Sequence, residues 1–256
     1  MGQTNVFQDV ACAVCGCVCD DLQVTVQDGR ITQAKGTCHL SEEWFLGQHK
    51  RRPSPAEIEG RPVDFVDAVQ RSVEILDRAR WPLIFGLSRS STAGQRAAVR
   101  LADRTGASVD TTASLCHAPS VMAIQQVGES TCTLGEIKNR ADLAIFWGVN
   151  PVRSHPRHFE RYSAEPAGMF LPHGRSDRTV VVIDAKPTES SDLADVFVPV
   201  QPGCDFEALW TLRCLVRGLP PSCIPSAPIS LDAMQELANR MKSCRCGVVF
   251  FGLGLA

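Results

Sequence analysis

No stretch of this 256-residue chain approaches the roughly 20 consecutive apolar residues that a bilayer-crossing helix requires. No basic segment followed by an apolar one opens it, so Met1 to Val10 carries no expectation of a secretory leader. The Met1-Gly2 start lacks the Ser or Thr that myristoylation wants at position 6, where Val6 stands. Neither sign of charge is in excess. The 26 Lys and Arg against 28 Asp and Glu leave a formal charge of -2, with no electrostatic footprint for nucleic acid or an anionic membrane. No internal repeat is present. The expected setting is the cytoplasm. The chain is 44% hydrophobic and 21% charged, ordinary for a globular protein, and long enough for one large α/β domain or two smaller ones.

Cysteine, by contrast, is abundant: there are twelve. Without an export signal, metal binding or reduced thiols are expected rather than a disulfide framework. Cys12, Cys15, Cys17, Cys19 and Cys38 crowd the first forty residues, whereas Cys116, Cys132, Cys204, Cys214, Cys223, Cys244 and Cys246 are scattered. Most of the scattered set are expected to be small buried hydrophobes.

The chain reads as two regions. Residues 1–52 form a small Cys-rich domain with a β-hairpin. Leu22 to Val26 alternates apolar and polar residues, Asp28-Gly29 is the signature of a type I′ turn, and the alternation resumes at Ile31. Lys50 to Pro55 breaks the pattern as a linker. Residues 53–256 then alternate helices and strands, the mark of an α/β domain whose mostly parallel sheet carries helices on both faces. Phe65, Val66, Val69, Val73 and Leu76 recur at helical spacing behind Asp64, a candidate N-cap. Strands are expected at Pro82–Leu87, Ala141–Trp147, Thr179–Asp184, Val196–Val200 and Gly247–Gly252. Helices are expected after the Ser88–Thr92 loop up to Gly106, from Asp205 to Arg217 with Gly218 beyond, and from Leu231 to Lys242.

Cys12-x2-Cys15-x3-Cys19, with Cys38 after the hairpin, is a four-thiolate set. Three ligands within eight residues can wrap one corner of a cubane, and the hairpin returns the fourth from another direction. Soft thiolates suit an Fe–S cluster. Structural zinc is the competitor, although a zinc ribbon offers two Cys-x2-Cys knuckles and Cys38 has no such partner. Reduced thiols without metal are the third reading. Cys17 is the spare thiol, expected to point away from the other four.

The run Cys12-Ala-Val-Cys-Gly-Cys-Val-Cys-Asp-Asp21 resembles the N-terminus of molybdopterin oxidoreductases. Trp147-Gly-Val-Asn-Pro151, Val182-Ile-Asp-Ala-Lys-Pro-Thr188 and Gln201-Pro-Gly-Cys-Asp205 resemble the dinucleotide-contacting loops of that superfamily. Ser114-Leu-Cys-His-Ala-Pro-Ser120, Thr133 to Ala141 and Ser154-His-Pro-Arg-His158 resemble the B subunit of formylmethanofuran dehydrogenase in particular, together with its formyltransferase/hydrolase relatives. The resemblance runs from about Val10 to the last residue. It implies a 4Fe-4S cluster on Cys12, Cys15, Cys19 and Cys38, and a molybdopterin guanine dinucleotide carrying molybdenum or tungsten. Cys116 would ligate that metal and His117 would handle protons beside it. Gly148, Asn150, Pro151, Asp184, Lys186, Thr188, Gly203 and Asp205 would contact the cofactor.

Elementary chemistry agrees with those assignments. Gly148 and Asn150 follow a strand in a sheet whose ligands bind beyond the carboxyl ends. Asp184 ends the next strand, where an acid can accept from a ribose hydroxyl or a guanine edge. Gly203 and Asp205 open a helix with free N–H groups. Each also has a plain structural reading, since Gly-x-Asn-Pro is a common turn and Asp205 an adequate N-cap. Arg153, His155, Arg157, His158 and Arg161 could face cofactor phosphates, lie in solvent, or dock another subunit. Cys116, Gly148, Asn150, Asp184 and Gly203 are expected to line one cleft at the sheet's carboxyl edge.

The implied activity is oxidoreductase chemistry interconverting carbon dioxide and formate, within a complex that includes amidohydrolase-like and scaffold subunits. The resembling B subunits are longer, so the resemblance also implies a fragment or a short form. The alternative is a non-catalytic structural subunit of a bacterial formyltransferase/hydrolase complex. An unrelated zinc-binding α/β protein is the third possibility.

Overall fold

The structure, a computed structural model, describes residues 3–50, 56–88, 90–220 and 230–252. The expected linker beyond Lys50, Cys223 and the last four residues lie outside them. The chain divides into two compact units, one formed by Met1–Lys50 with Thr131–Ala256 and the other by Arg51–Ser130. The first cut falls beside the expected boundary at residue 52. The second, at residue 130, has no counterpart in the sequence reading.

Strands β1 (Thr4–Val10), β2 (Leu22–Gln27) and β3 (Arg30–Lys35) form an antiparallel sheet in that order. The expected hairpin is β2–β3. Asp28 and Gly29 both have positive φ, 50° and 75°, as a type I′ turn demands. β1, largely exposed, has no hydrophobic alternation to announce it and is held by pairing with β2. Helix α1 (Glu42–Leu46) follows and buries Phe45.

The second unit begins with a short antiparallel pair, β4 (Ala56–Ile58) and β5 (Arg61–Val63). Helix α2 (Phe65–Arg78) follows, with Asp64 at the N-cap position but making no side-chain cap bond. β6 (Leu83–Gly86) and β7 (Ser108–Thr111) pair in parallel around the crossover helix α3 (Thr92–Thr105). Two helices close the unit, α4 (Ala113–Cys116) and α5 (Ala118–Val127). Leu83, expected in a buried strand, is 60% exposed.

The first unit resumes with α6 (Leu134–Arg140), started by a complete capping box between Thr133 and Glu136. Then come β8 (Leu143–Trp147), α7 (Pro151–Ser154), a π-helical turn at Phe159–Ser163, β9 (Thr179–Asp184) and β10 (Val196–Pro199). Helices α8 (Asp205–Val216) and α9 (Leu231–Ser243) precede β11 (Gly247–Phe251). The four strands make one all-parallel sheet in the order β10-β9-β8-β11. The parallel strands therefore fall into two sheets, one in each unit.

Period-two alternation explains how the larger sheet is covered on both faces. Leu143, Ile145, Trp147, Val181, Ile183 and Val198 pack on one side with Ala208 and Leu212 of α8 and Met234 and Leu237 of α9. Ala144, Phe146, Val180 and Val182 pack on the other with Phe159 and Ala164. Each large side chain so buried contributes about 1.5–3 kcal/mol. Buried Arg178 donates to the carbonyls of Ile137, Lys138 and Ala141, at the end of α6, and to Pro166. The Lys138 carbonyl, left over at the helix end, is satisfied in this way.

Candidate functional site

The cysteine-rich segment folds into a loop closed by a 2.7 Å bond from the Cys12 N–H to the Cys19 carbonyl. Within it Val18 has φ 45°, a left-handed conformation costly for a β-branched residue and of the kind that clusters at functional sites. Cys12, Cys15, Cys19 and Cys38 line one pocket with Val14, Val18, Leu22, Gly36, Ser41 and Arg157. Cys17 lines it too. The expectation that Cys17 turns away is corrected: its thiol is fully buried and points to the His155 carbonyl at 3.7 Å. Burial, aided by neighbouring Cys15, pushes it up to about 12.

The other thiols differ in electrostatic setting. Burial pushes Cys19 up, against the pull of Arg157 and Arg161. Burial also opposes ionisation of Cys38, but the Ser41 hydroxyl and the N–H groups of Leu40 and Ser41 outweigh it, and Cys38 lies below the usual thiol range. Ser41 is itself buried, its Oγ accepting from the Cys38 N–H at 3.1 Å.

The basic run resolves into separate roles. Arg157 and Arg161 turn toward the cysteine segment. Arg157 grips Asp21 with two bonds of 2.8 and 2.7 Å, and Arg161 bonds Asp20 and Asp21. Asp21 and Glu160 are held below the carboxylate range by the bonds from Arg157. His158 is buried against Phe146, Phe250 and Tyr162, its Nδ1 2.9 Å from the Ser163 Oγ. Burial, with His155 nearby, pushes it down to about 4, so it is neutral at pH 7. Tyr162 donates to the Cys17 carbonyl at 2.6 Å. The sequence did hold a signal for the clamp: two acids directly after Cys19, and two arginines four residues apart.

A cleft of about 210 Å³ opens beside this junction, lined by Gly16, Phe146, Val149, Pro151, Ser154, His155, His158, Phe250 and Phe251. It lies at the carboxyl ends of β8 and β11. The other loops at this edge are set by strand register. Trp147 pairs with Ile183, and Asp184 with Pro199, so Gly148, Asp184 and the residues after β10 are neighbours. The Gly148 N–H continues the ladder, donating to the Ile183 carbonyl at 2.8 Å, and its φ of 62°, open to glycine without strain, turns the chain out of the strand. Asn150 is engaged within the protein, its Nδ2 donating to Glu189 and its Oδ1 accepting from Ser190, both at 2.6 Å. Lys186 is exposed. The Thr188 Oγ1 is buried and has no partner among the described residues. Asp205 is the first residue of α8 rather than its cap, which is Cys204; its carboxylate accepts from the buried Trp147 indole at 2.8 Å.

Gly148, Asn150, Pro151, Asp184, Lys186, Thr188, Gly203 and Asp205 thus belong to loops at one carboxyl edge of one sheet. Cys116 and His117 belong to the other unit. There they follow the carboxyl end of β7, Cys116 half-buried at the end of α4 and His117 exposed between α4 and α5.

No protein-family model matches the chain. The B subunit of the tungsten-containing formylmethanofuran dehydrogenase 2 of Methanocaldococcus jannaschii is 36% identical over 258 residues, covering 98% of this chain. The chain spans 59% of that relative's length. Among solved structures, a chain of the formyltransferase/hydrolase complex from Methylorubrum extorquens, in complex with methylofuran, is similar in fold, with TM-score 0.58 and 23% identity. That match covers 75% of this chain and 50% of the other. Acetylene hydratase from Pelobacter acetylenicus matches 95% of this chain and 40% of its own, with TM-score 0.61 and 12% identity. Over the length they share, the chain is similar to the B subunits of formylmethanofuran dehydrogenase, at 36% identity.

Proposed function

We propose that this chain is the cofactor-bearing subunit of a formylmethanofuran dehydrogenase-type complex in the cytoplasm, taking part in the interconversion of carbon dioxide and formate. The observation that carries the reading is the meeting of a five-thiol pocket with the carboxyl edge of a parallel sheet inside one compact unit. Open parallel sheets bind ligands at that edge.

The donor chemistry fits a 4Fe-4S cluster on Cys12, Cys15, Cys19 and Cys38. Among the described residues no three His, Cys, Asp or Glu side chains are gathered closely enough to chelate one ion. A zinc ribbon would offer a second Cys-x2-Cys knuckle, which Cys38 lacks, so zinc is the poorer fit. The Thr188 hydroxyl, buried and without a partner among the described residues, fits a polar ligand beside the β9 loop, where a molybdopterin guanine dinucleotide would lie. Gly148 and Pro151 would shape the loop against it, Asn150 would hold that loop through Glu189 and Ser190, and Asp184, Lys186, Gly203 and Asp205 would flank it. When bound, a tungsten or molybdenum pterin would supply the two-electron chemistry and the cluster a one-electron path. Cys116 would be the protein's thiolate ligand, and His117, exposed beside it, would hold or pass on a proton. Formate would pass to an amidohydrolase-like subunit, and a scaffold subunit would complete the complex.

The test is anaerobic purification with the natural partner subunits, followed by metal analysis and dye-linked formate oxidation. Iron with tungsten or molybdenum is expected, and Cys116→Ser should lose the heavier metal while keeping iron. Zinc alone would overturn the proposal. An intact complex without metal or turnover would instead assign the chain the structural role of a formyltransferase/hydrolase subunit.

A further inference from the structure

We infer that Arg157 is the positioning residue of the thiol pocket: from a third element it ties the arm carrying Cys12, Cys15 and Cys19 to the arm carrying Cys38. This role rests on the reading of the pocket as a cluster site. A guanidinium has five N–H groups in a rigid planar fork, and here all five are used. Nη1 donates to Asp21 Oδ1 at 2.8 Å and to the Gly36 carbonyl at 2.9 Å. Nη2 donates to Asp21 Oδ2 at 2.7 Å and to Glu160 Oε1 at 2.6 Å, and Nε to Glu160 Oε2 at 3.1 Å.

The two gripped points define the role. Asp21 lies two residues after Cys19 and Gly36 two residues before Cys38. The last rung of the β2–β3 ladder is Gln23 with Lys35, so Gly36 comes opposite Leu22, with Asp21 beside it just past the ladder's end. A Cβ added to Gly36 would stand 3.4 Å from the Asp21 carbonyl. Arg157 closes this open end and is the one cationic side chain lining the pocket among the described residues, with only 13% of its side chain exposed. Glu160 fixes its far edge, and Arg161 reinforces the grip through Asp20 and Asp21. Lysine, a point charge with three donors, cannot span both Asp21 oxygens, Glu160 and a carbonyl together.

The experiment uses the full chain purified anaerobically with its partner subunits. Wild type, Arg157→Lys, Arg157→Gln and, as a surface control, Arg71→Ala are compared. Three readouts are taken: iron and acid-labile sulfide per chain, the rate of iron loss to a chelator, and the cluster's midpoint potential by EPR titration. Both Arg157 variants should lose iron about ten-fold faster, the usual scale for removing a group that orients metal ligands. Arg157→Gln should also shift the potential to more negative values, because a positive charge beside the cluster is gone. Arg157→Lys should keep the wild-type potential, a separation that general destabilisation would not produce. Unchanged iron loss and potential in Arg157→Gln, with wild type holding its cluster, would overturn this inference alone. A wild-type chain without iron and sulfide would overturn the cluster reading and this inference together.

Discussion

The two compact units are built from the same local elements yet differ in what they bury. The first has three apolar clusters, and every residue of its central strand β8 is buried. In residues 56–130 only Pro82 and Ala102 are buried among those described, and α2 buries none of its fourteen. Phe65 and Val66 of α2 are 76% and 74% exposed, although their spacing is that of an inward face. The lesson is that amphipathic period reports which side of a helix is apolar, not whether an apolar surface lies opposite. A four-strand sheet covered on both faces encloses a core, whereas a two-strand parallel pair is too narrow to do so.

The sharpest way to break that comparison is to remove equivalent apolar bulk from each unit. Phe146→Ala, in the centre of β8, should cost about 3–5 kcal/mol in urea denaturation. Phe65→Ala on α2, 76% exposed, should cost no more than about 0.5 kcal/mol. Equal costs would show that the second unit has a core of its own.

A second measurement probes the first unit's interior by pH. His158 is neutral in the folded chain, pushed down to about 4 from 6.5. Because the unfolded chain takes up the proton first, stability is fully present above pH 6.5 and falls as pH drops toward 4. The loss at pH 4.5 should reach about 2–3 kcal/mol, and His158→Gln should abolish that part of the slope. A wild-type slope retained in the variant would place the titration elsewhere.

A smaller effect is expected at the sheet's carboxyl edge. Asp205→Ala leaves the indole N–H of Trp147, which is 1% exposed, without its acceptor, and should cost about 1–3 kcal/mol. Chemical denaturation followed by tryptophan fluorescence would read it, and an unchanged midpoint would show that the pair contributes nothing.

The smallest effect should be alike in both units. Thr133 caps α6 in the first and Ser91 caps α3 in the second, each accepting an N–H bond at 3.1 Å. Substitution of either by Ala should cost about 1 kcal/mol, because a cap is local and independent of the core behind it. Amide exchange in the first turn of each helix would detect the loss, and a large difference between them would tie capping to tertiary packing.

Much of the fold was legible in the residues. Thr179–Asp184, Phe65 onward, Asp205 onward and Leu231 onward announced their elements by period. Asp28-Gly29 announced its turn. β1 and β7 were missed because neither alternates clearly; their strand character comes from pairing with β2 and β6. The π-helical turn at Phe159–Ser163 was equally silent, being a departure that only the packing around His158 explains.

The candidate site divides along the same line. The sequence by itself determined the thiol inventory, the hairpin that returns Cys38, and the strand ends that bring Gly148, Asp184 and Asp205 to one edge. All of these depend on residues near in sequence or on a strand's period of two. Only the tertiary structure decided that Cys17 joins the pocket, that Asp205 serves Trp147, that the parallel strands part into two sheets, and that Arg157 faces Asp21 and Gly36. Those contacts join residues 58 to 138 positions apart. Their geometry is set by how layers pack and where charges find partners, and no local spacing encodes it.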